Sequence, residues 1–265
     1  TPKENNAREW SGIEVQAIAG LGVHRLNTSE DSPIATVPEY QELVAEIGED
    51  DLLVAAALAI AAYERTILSS RSPFQSFVKG DVNALSHAEV NGAKLFFGKA
   101  GCGACHNGPA LSSPQFATES EMFMAIGFGD LDMNEGIVGE VSDAVRKGRG
   151  GFTGEEEDMY AFKVPSLYNL TDTNVFGHGS TFTSVREVVE YKNAAVPQAD
   201  IPEQYLDSRF VPLNLTPKEV DELVSFLEGG LYDADLMRYV PETLPSGNCV
   251  TNADLLSRSE TGCDL

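Results

Sequence analysis

The sequence predicts a mainly α-helical fold with long wrapping loops, and three observations carry that expectation. Apolar residues recur at helical spacing behind side-chain caps at Ser86, Ser184 and Thr216. The two-residue alternation of strands is almost absent. Residues 107–160 form a loop-rich stretch with Gly148, Gly150, Gly151 and the acidic run 155–158, and a stretch of that kind normally wraps something.

Taken in order, residues 38–47 read as one helix and residues 51–68 as another that is almost uniformly apolar. The apolar run 52–63 is twelve residues long, where a membrane-spanning helix needs about twenty, so it predicts a buried core helix. Ser72-Pro73-Phe74 breaks the pattern. Ser86 with Glu89 forms a capping box, after which Val90, Ala93, Phe96 and Phe97 give an apolar face. Ser184 with Glu187 caps a helix running to about Asn193. Thr216, Pro217 and Glu219 start a third, carrying Val220, Leu223, Val224 and Leu227 and stopped by Gly229-Gly230. No internal repeat or low-complexity segment is present.

The chain has 265 residues with 42% hydrophobic content, enough to bury a substantial core in one or two domains. Acidic side chains number 41 against 18 basic, a formal net charge of -23. Nucleic acid and anionic membranes are therefore poor partners, and neither is expected. The same charge steers a basic electron-transfer partner, and equally serves solubility in a salty or extracellular medium. No basic and apolar leader stands at Thr1, so an export signal is expected to be removed or upstream.

The four cysteines fall into two pairs. Cys102 and Cys105 stand in C-G-A-C-H, where two thiols can bond two vinyl carbons on one haem edge while the adjacent His106 imidazole turns under the ring to the iron. A zinc knuckle would need a second ligand pair and a thioredoxin-like redox pair a βαβ context, and the sequence displays neither. The motif thus predicts one covalent haem c, entered from the helix that starts at Ser86, with the 107–160 loops around its edge. Covalent haem c is made outside the cytoplasm, which implies a periplasmic or extracellular location. In that setting Cys249 and Cys263, in a Ser/Gly/Asn-rich tail, are expected to form a disulfide, with two free thiols as the alternative.

The order of motifs is more specific. E-R-T-I-L-S-S-R-S-P-F (64–74), F-F-G-K-A-G-C-G-A-C-H-N-G-P (96–109), F-K-V-P-S-L-Y-N (162–169), F-G-H-G-S (176–180) and L-T-P-K-E-V-D-E-L-V-S-F-L (215–227) closely resemble the bacterial di-haem cytochrome c peroxidase family, which includes the MauG-type enzymes. The resemblance implies a cytochrome c-like haem domain over 81–231, preceded over 1–80 by a helical remnant of a second cytochrome c-like domain and followed by a tail at 232–265. Family members carry two C-x-x-C-H motifs, and this chain holds that of the second domain. Glu14-Val15-Gln16-Ala17 is similar to an element late in the first domain, so a second haem motif is expected upstream of Thr1.

The resemblance further implies reduction of hydrogen peroxide. Peroxide would be handled at the first haem, with electrons relayed through the haem on Cys102 and Cys105 from a small donor such as a cytochrome c or cupredoxin. A MauG-like oxidase acting on a protein substrate and a mono-haem electron-transfer subunit are the alternatives. A homodimer is compatible with the family. Its calcium ion would use carbonyls of residues 173–175, with part of that site supplied from the first domain.

The distal side of the iron decides reactivity. The family's second haem takes a methionine twelve residues after a glycine, or a tyrosine in MauG-type enzymes; counted from Gly179 that position is Tyr191. A phenolate favours ferric iron and lowers the potential, whereas a thioether does the reverse. Tyr191 is the first candidate, its alternative being packing on the face of Val188; Met122, Met124 and Met133 could instead supply sulfur. His178 matches the family histidine only if F-H-D-G has become F-G-H-G, and would then bond a propionate or the inter-haem region; a structural histidine is the alternative. His24 could face the first domain's haem, and His87, just after a helix cap, is expected to be solvated.

Overall fold

In the computed structural model, residues 10, 12–23, 28–112, 120–129, 143–236, 241 and 243–248 are described. The chain divides into two compact units, Thr1–Leu68 with Asp235–Leu265, and Ser69–Ala234. Segment 69–80 packs within the second unit, where the Phe74 ring meets Phe226 edge-on at 5.2 Å.

The first unit is helical, with α1 (Ile13–Val23), α2 (Pro33–Thr36), α3 (Pro38–Ile47) and α4 (Leu52–Glu64). Helix α3 matches its sequence expectation and ends on Gly48, whose φ of 72° is the left-handed conformation a C-terminal glycine supplies at least cost. The Asp51 carboxylate caps α4, accepting from Leu53 N at 2.9 Å and Val54 N at 3.4 Å. Helix α4 stops short of residue 68, since the Thr66 hydroxyl donates to the Tyr63 carbonyl at 2.7 Å and takes up an acceptor of the last turn. Small residues Ala56 and Ala57 let α4 approach Ala17 and Leu21 of α1, and Glu14 on α1 pairs with Arg65 beyond α4 at 2.5 Å.

The second unit contains α5 (Pro73–Val78), α6 (His87–Phe97), α7 (Asp143–Arg146), α8 (Arg149–Thr153), α9 (Val185–Ala194) and α10 (Pro217–Ser225), with two-residue strands β1 (Phe123–Met124) and β2 (Phe162–Lys163). The strands pair antiparallel, Phe123 opposite Lys163 and Met124 opposite Phe162. The expected capping box of Ser86 with Glu89 forms on α6, Thr216 with Glu219 makes a second at the start of α10, and the Ser184 hydroxyl accepts from Glu187 N on α9. Behind them lies one core in which Phe96, Leu223, Phe226 and Leu231 are completely buried. Phe97 departs from the expected apolar face: it is half exposed, stacking on Phe74 at 5.8 Å, because a helix can turn only one of two adjacent residues fully inward.

Helices α6 and α10 come together backbone to backbone at Gly92. A Cβ there would overlap the Glu222 carbonyl oxygen and stand 2.6 Å from Phe226 Cβ. The end of this unit is closed by a buried carboxylate. Asp233 Oδ2 accepts from Ser70 N at 2.8 Å, Arg71 N at 3.0 Å and the Ser69 hydroxyl at 3.3 Å. The Asn169 side chain completes the clasp, bonding the main-chain N and O of Asp233, each at 3.0 Å. Asp233→Ala leaves two backbone N–H groups without their acceptor and is expected to cost about 2 kcal/mol. A lower urea midpoint at unchanged slope would register it, and an unmoved midpoint would show the clasp to be idle.

Candidate functional site

The site starts where α6 ends. Gly101, at a φ of 66°, reverses the chain into a single 3-10 turn, Cys102–Ala104. The Cys102 carbonyl then accepts from Cys105 N at 3.2 Å and from His106 N at 2.9 Å. Two thiols and one imidazole are thereby held on one short turn. Gly103 fits because a Cβ there would run into the Phe97 ring at 2.7 Å.

The imidazole is fixed from a distance. His106 Nδ1 lies 3.1 Å from the Leu111 carbonyl and 3.2 Å from the Pro165 carbonyl. Carbonyls can only accept, so Nδ1 carries the proton and the Nε2 lone pair is available to a metal. Burial lowers the His106 pKa, which favours the neutral ligand form. Burial also raises the Cys102 thiol to about 11 and the Cys105 thiol above its ordinary value. A disulfide-exchanging pair needs the opposite, a stabilised thiolate. Among the described residues no group of three or more His, Cys, Asp and Glu side chains forms a metal cage. Protonated thiols on one turn beside an oriented imidazole fit the chemistry of covalent haem c, for which His106 Nε2 would be free to take the iron.

A second wall comes from α9. The Tyr191 hydroxyl donates to the Ile126 carbonyl at 2.6 Å, and its ring lies 5.5 Å from Phe128, 5.2 Å from Phe182 and 5.5 Å from Phe210. Burial pushes its phenol up to about 12. The next residue, Lys192, places its amine 5.2 Å from the Phe128 ring and 5.7 Å from the Phe210 ring. Burial draws the Lys192 ammonium down to about 8.

No protein-family model matches the chain. Cytochrome-c peroxidase IdrP1 of Denitromonas iodatirespirans is 31% identical over 245 residues, covering 83% of this chain and 63% of its own length. Methylamine utilization protein MauG of Methylorubrum extorquens is 28% identical over 235 residues, covering 84% of this chain and 60% of MauG. The crystal structure of a MauG-like protein associated with microbial copper homeostasis superposes with a TM-score of 0.56 at 26% identity, covering 73% of this chain and 61% of that one. The chain is similar to the di-haem cytochrome c peroxidase and MauG family, whose curated members match it at 26–31% identity. It spans about three-fifths of the length of the curated relatives it matches. Its mainly helical fold with a cytochrome c-like domain is the family's.

Within this family setting the remaining expected residues are distributed as follows. His178 sits in the tight hairpin closed by the Phe176–Phe182 backbone bridge, its ring stacked on Phe162 at 4.1 Å. Met124 is buried, with its sulfur 2.8 Å from an Arg209 nitrogen, and Met122 is partly buried. His87 is exposed, as its place after the Ser86 cap implied. Residues 173–175 are exposed. His24, Met133, Cys249 and Cys263 lie outside the described residues.

Sequence reasoning passed over three residues. Asp207 and Arg209 form a bidentate pair, 2.8 Å from Nε and 2.6 Å from Nη2, which holds the Asp207 carboxyl below its usual range. Lys192 was the third. The signal for it was present: Lys192 stands seven residues after Val185 and three after Val189, both buried, so a lysine occupies the core face of α9.

Proposed function

We propose that this chain carries one haem c on Cys102 and Cys105, with His106 on the iron, as the electron-relay domain of an enzyme that reduces hydrogen peroxide. The observation that carries the reading is the pinned His106. Its Nδ1 proton is shared between two carbonyls while Nε2 is left to the metal, beside two protonated thiols on the same turn.

When bound, haem supplies reversible one-electron chemistry. The protein residues do the rest. The Leu111 and Pro165 carbonyls hold the imidazole plane and raise the electron-donating power of Nε2. Phe96, fully buried 6.5 Å from the His106 ring, and Leu111 keep water from that side. Asp207 holds Arg209 beside the attachment turn, where its guanidinium affects Cys105. The net charge of -23 suits steering of a basic donor, a small cytochrome c or cupredoxin. Covalent haem c points to a periplasmic or extracellular site of action. Among the described residues no helix is long and apolar enough to cross a membrane.

A MauG-like oxidase of a protein substrate is the second reading, favoured because MauG matches over a similar span at 28% identity. The test is stopped-flow absorption of the native holoprotein with hydrogen peroxide and a reduced basic cytochrome c. The relay reading expects peroxide-dependent oxidation of the donor with the Cys102/Cys105 haem cycling between ferrous and ferric. Donor oxidation without any redox change at that haem would overturn it, and peroxide consumption supported only by a protein substrate would select the oxidase.

A further inference from the structure

We infer that Lys192, through its side-chain amine, is the distal iron ligand of the haem held by Cys102, Cys105 and His106. This rests on the haem reading above and adds to it the residue that closes the iron.

The geometry of α9 separates Lys192 from its neighbour. Adjacent helical residues point about 100° apart, so Tyr191 and Lys192 cannot face one spot. Tyr191 is committed elsewhere: its hydroxyl bonds the Ile126 carbonyl at 2.6 Å and its ring is enclosed by Phe128, Phe182 and Phe210. Ligation through that phenol would break the hydrogen bond and the ring packing together. Lys192 shares its face with buried Val185 and Val189, so its stem runs inward. Its amine rests against the Phe128 and Phe210 rings.

The face of α9 that carries Lys192 also meets the attachment turn, because Val185 and Val189 belong to the core against which Cys102 packs. Among the described residues the structure gives that amine no hydrogen bond or ion pair, only the two aromatic faces. An amine in such a place would find a partner either in a haem propionate or in the iron. Thioether carbons and propionates lie on opposite edges of the porphyrin. Packing of the Lys192 face with Cys102 puts the amine toward the thioether edge, which favours the iron over a propionate as its partner. On ligation the ammonium gives one proton to solvent and the nitrogen lone pair goes to iron, with no change of oxidation state.

The experiment uses the native holoprotein and three variants, Lys192→Ala, Lys192→Met and Tyr191→Phe. Denaturing mass spectrometry first measures covalent haem in each, and circular dichroism checks their helices. No haem on the peptide carrying Cys102 and Cys105 of the unmodified protein would overturn the haem reading itself, and the ligand assignment with it. With haem present, the ferric wild-type protein should be low-spin. Lys192→Ala should become high-spin and bind azide at least about tenfold more tightly. Lys192→Met should return a low-spin spectrum with the thioether signature and a raised potential. Tyr191→Phe should leave the spectrum unchanged. A low-spin spectrum unaltered in both Lys192 variants, or a site opened by Tyr191→Phe, overturns the assignment; if Lys192→Ala does not fold, Lys192→Met alone decides it.

Discussion

Replacing Cys102 and Cys105 together by alanine is expected to abolish covalent haem attachment completely, leaving a protein whose denatured mass equals that of its polypeptide. The expectation comes from how locally the attachment is built. Both thiols are set by one 3-10 turn after Gly101, and burial keeps both protonated. Addition across the two vinyl groups needs each sulfur, so a single change should leave at most one thioether and the pair should leave none. The helices should persist in the double variant, since the Ser86, Ser184 and Thr216 caps and the Phe96–Phe226 contact at 5.6 Å lie outside the substituted side chains. Haem retained through denaturation in the double variant would mean that attachment occurs elsewhere.

The other large effect is expected at Gly92. A single methyl added by Gly92→Ala falls on the Glu222 carbonyl oxygen of α10 and the Cβ of Phe226 just past its end, and neither is the mobile end of a flexible side chain. Helices α6 and α10 must separate to accept it. Phe96 and Phe226, both fully buried, then lose packing along the same seam. Overpacking of this kind costs about 3 kcal/mol, a large share of the stability of an ordinary domain. Because α6 leads directly into the attachment turn, haem incorporation should fall together with the thermal midpoint. Thermal unfolding that is unshifted in Gly92→Ala would show that the two helices can part at no cost.

Sequence alone was enough for whatever depends on neighbours along the chain. Helix starts at Ser86, Ser184 and Thr216 need only a hydroxyl and the backbone N–H three residues on, so they were legible and they form. The C-x-x-C-H turn is equally local, closed by hydrogen bonds from Cys105 and His106 back to Cys102. Tertiary structure decided what depends on distant partners. The tautomer of His106 rests on the Pro165 carbonyl, 59 residues away in sequence. Phe97 could not be told from Phe96 by apolar character, and only contact with Phe226 made one of them core. Tyr191 and Lys192 divided the roles of packing and reaching inward according to rings on Phe128 and Phe210, supplied by loops with no periodic signal. Periodicity reports which face a residue occupies, but what stands opposite that face is set by long-range closure of the chain.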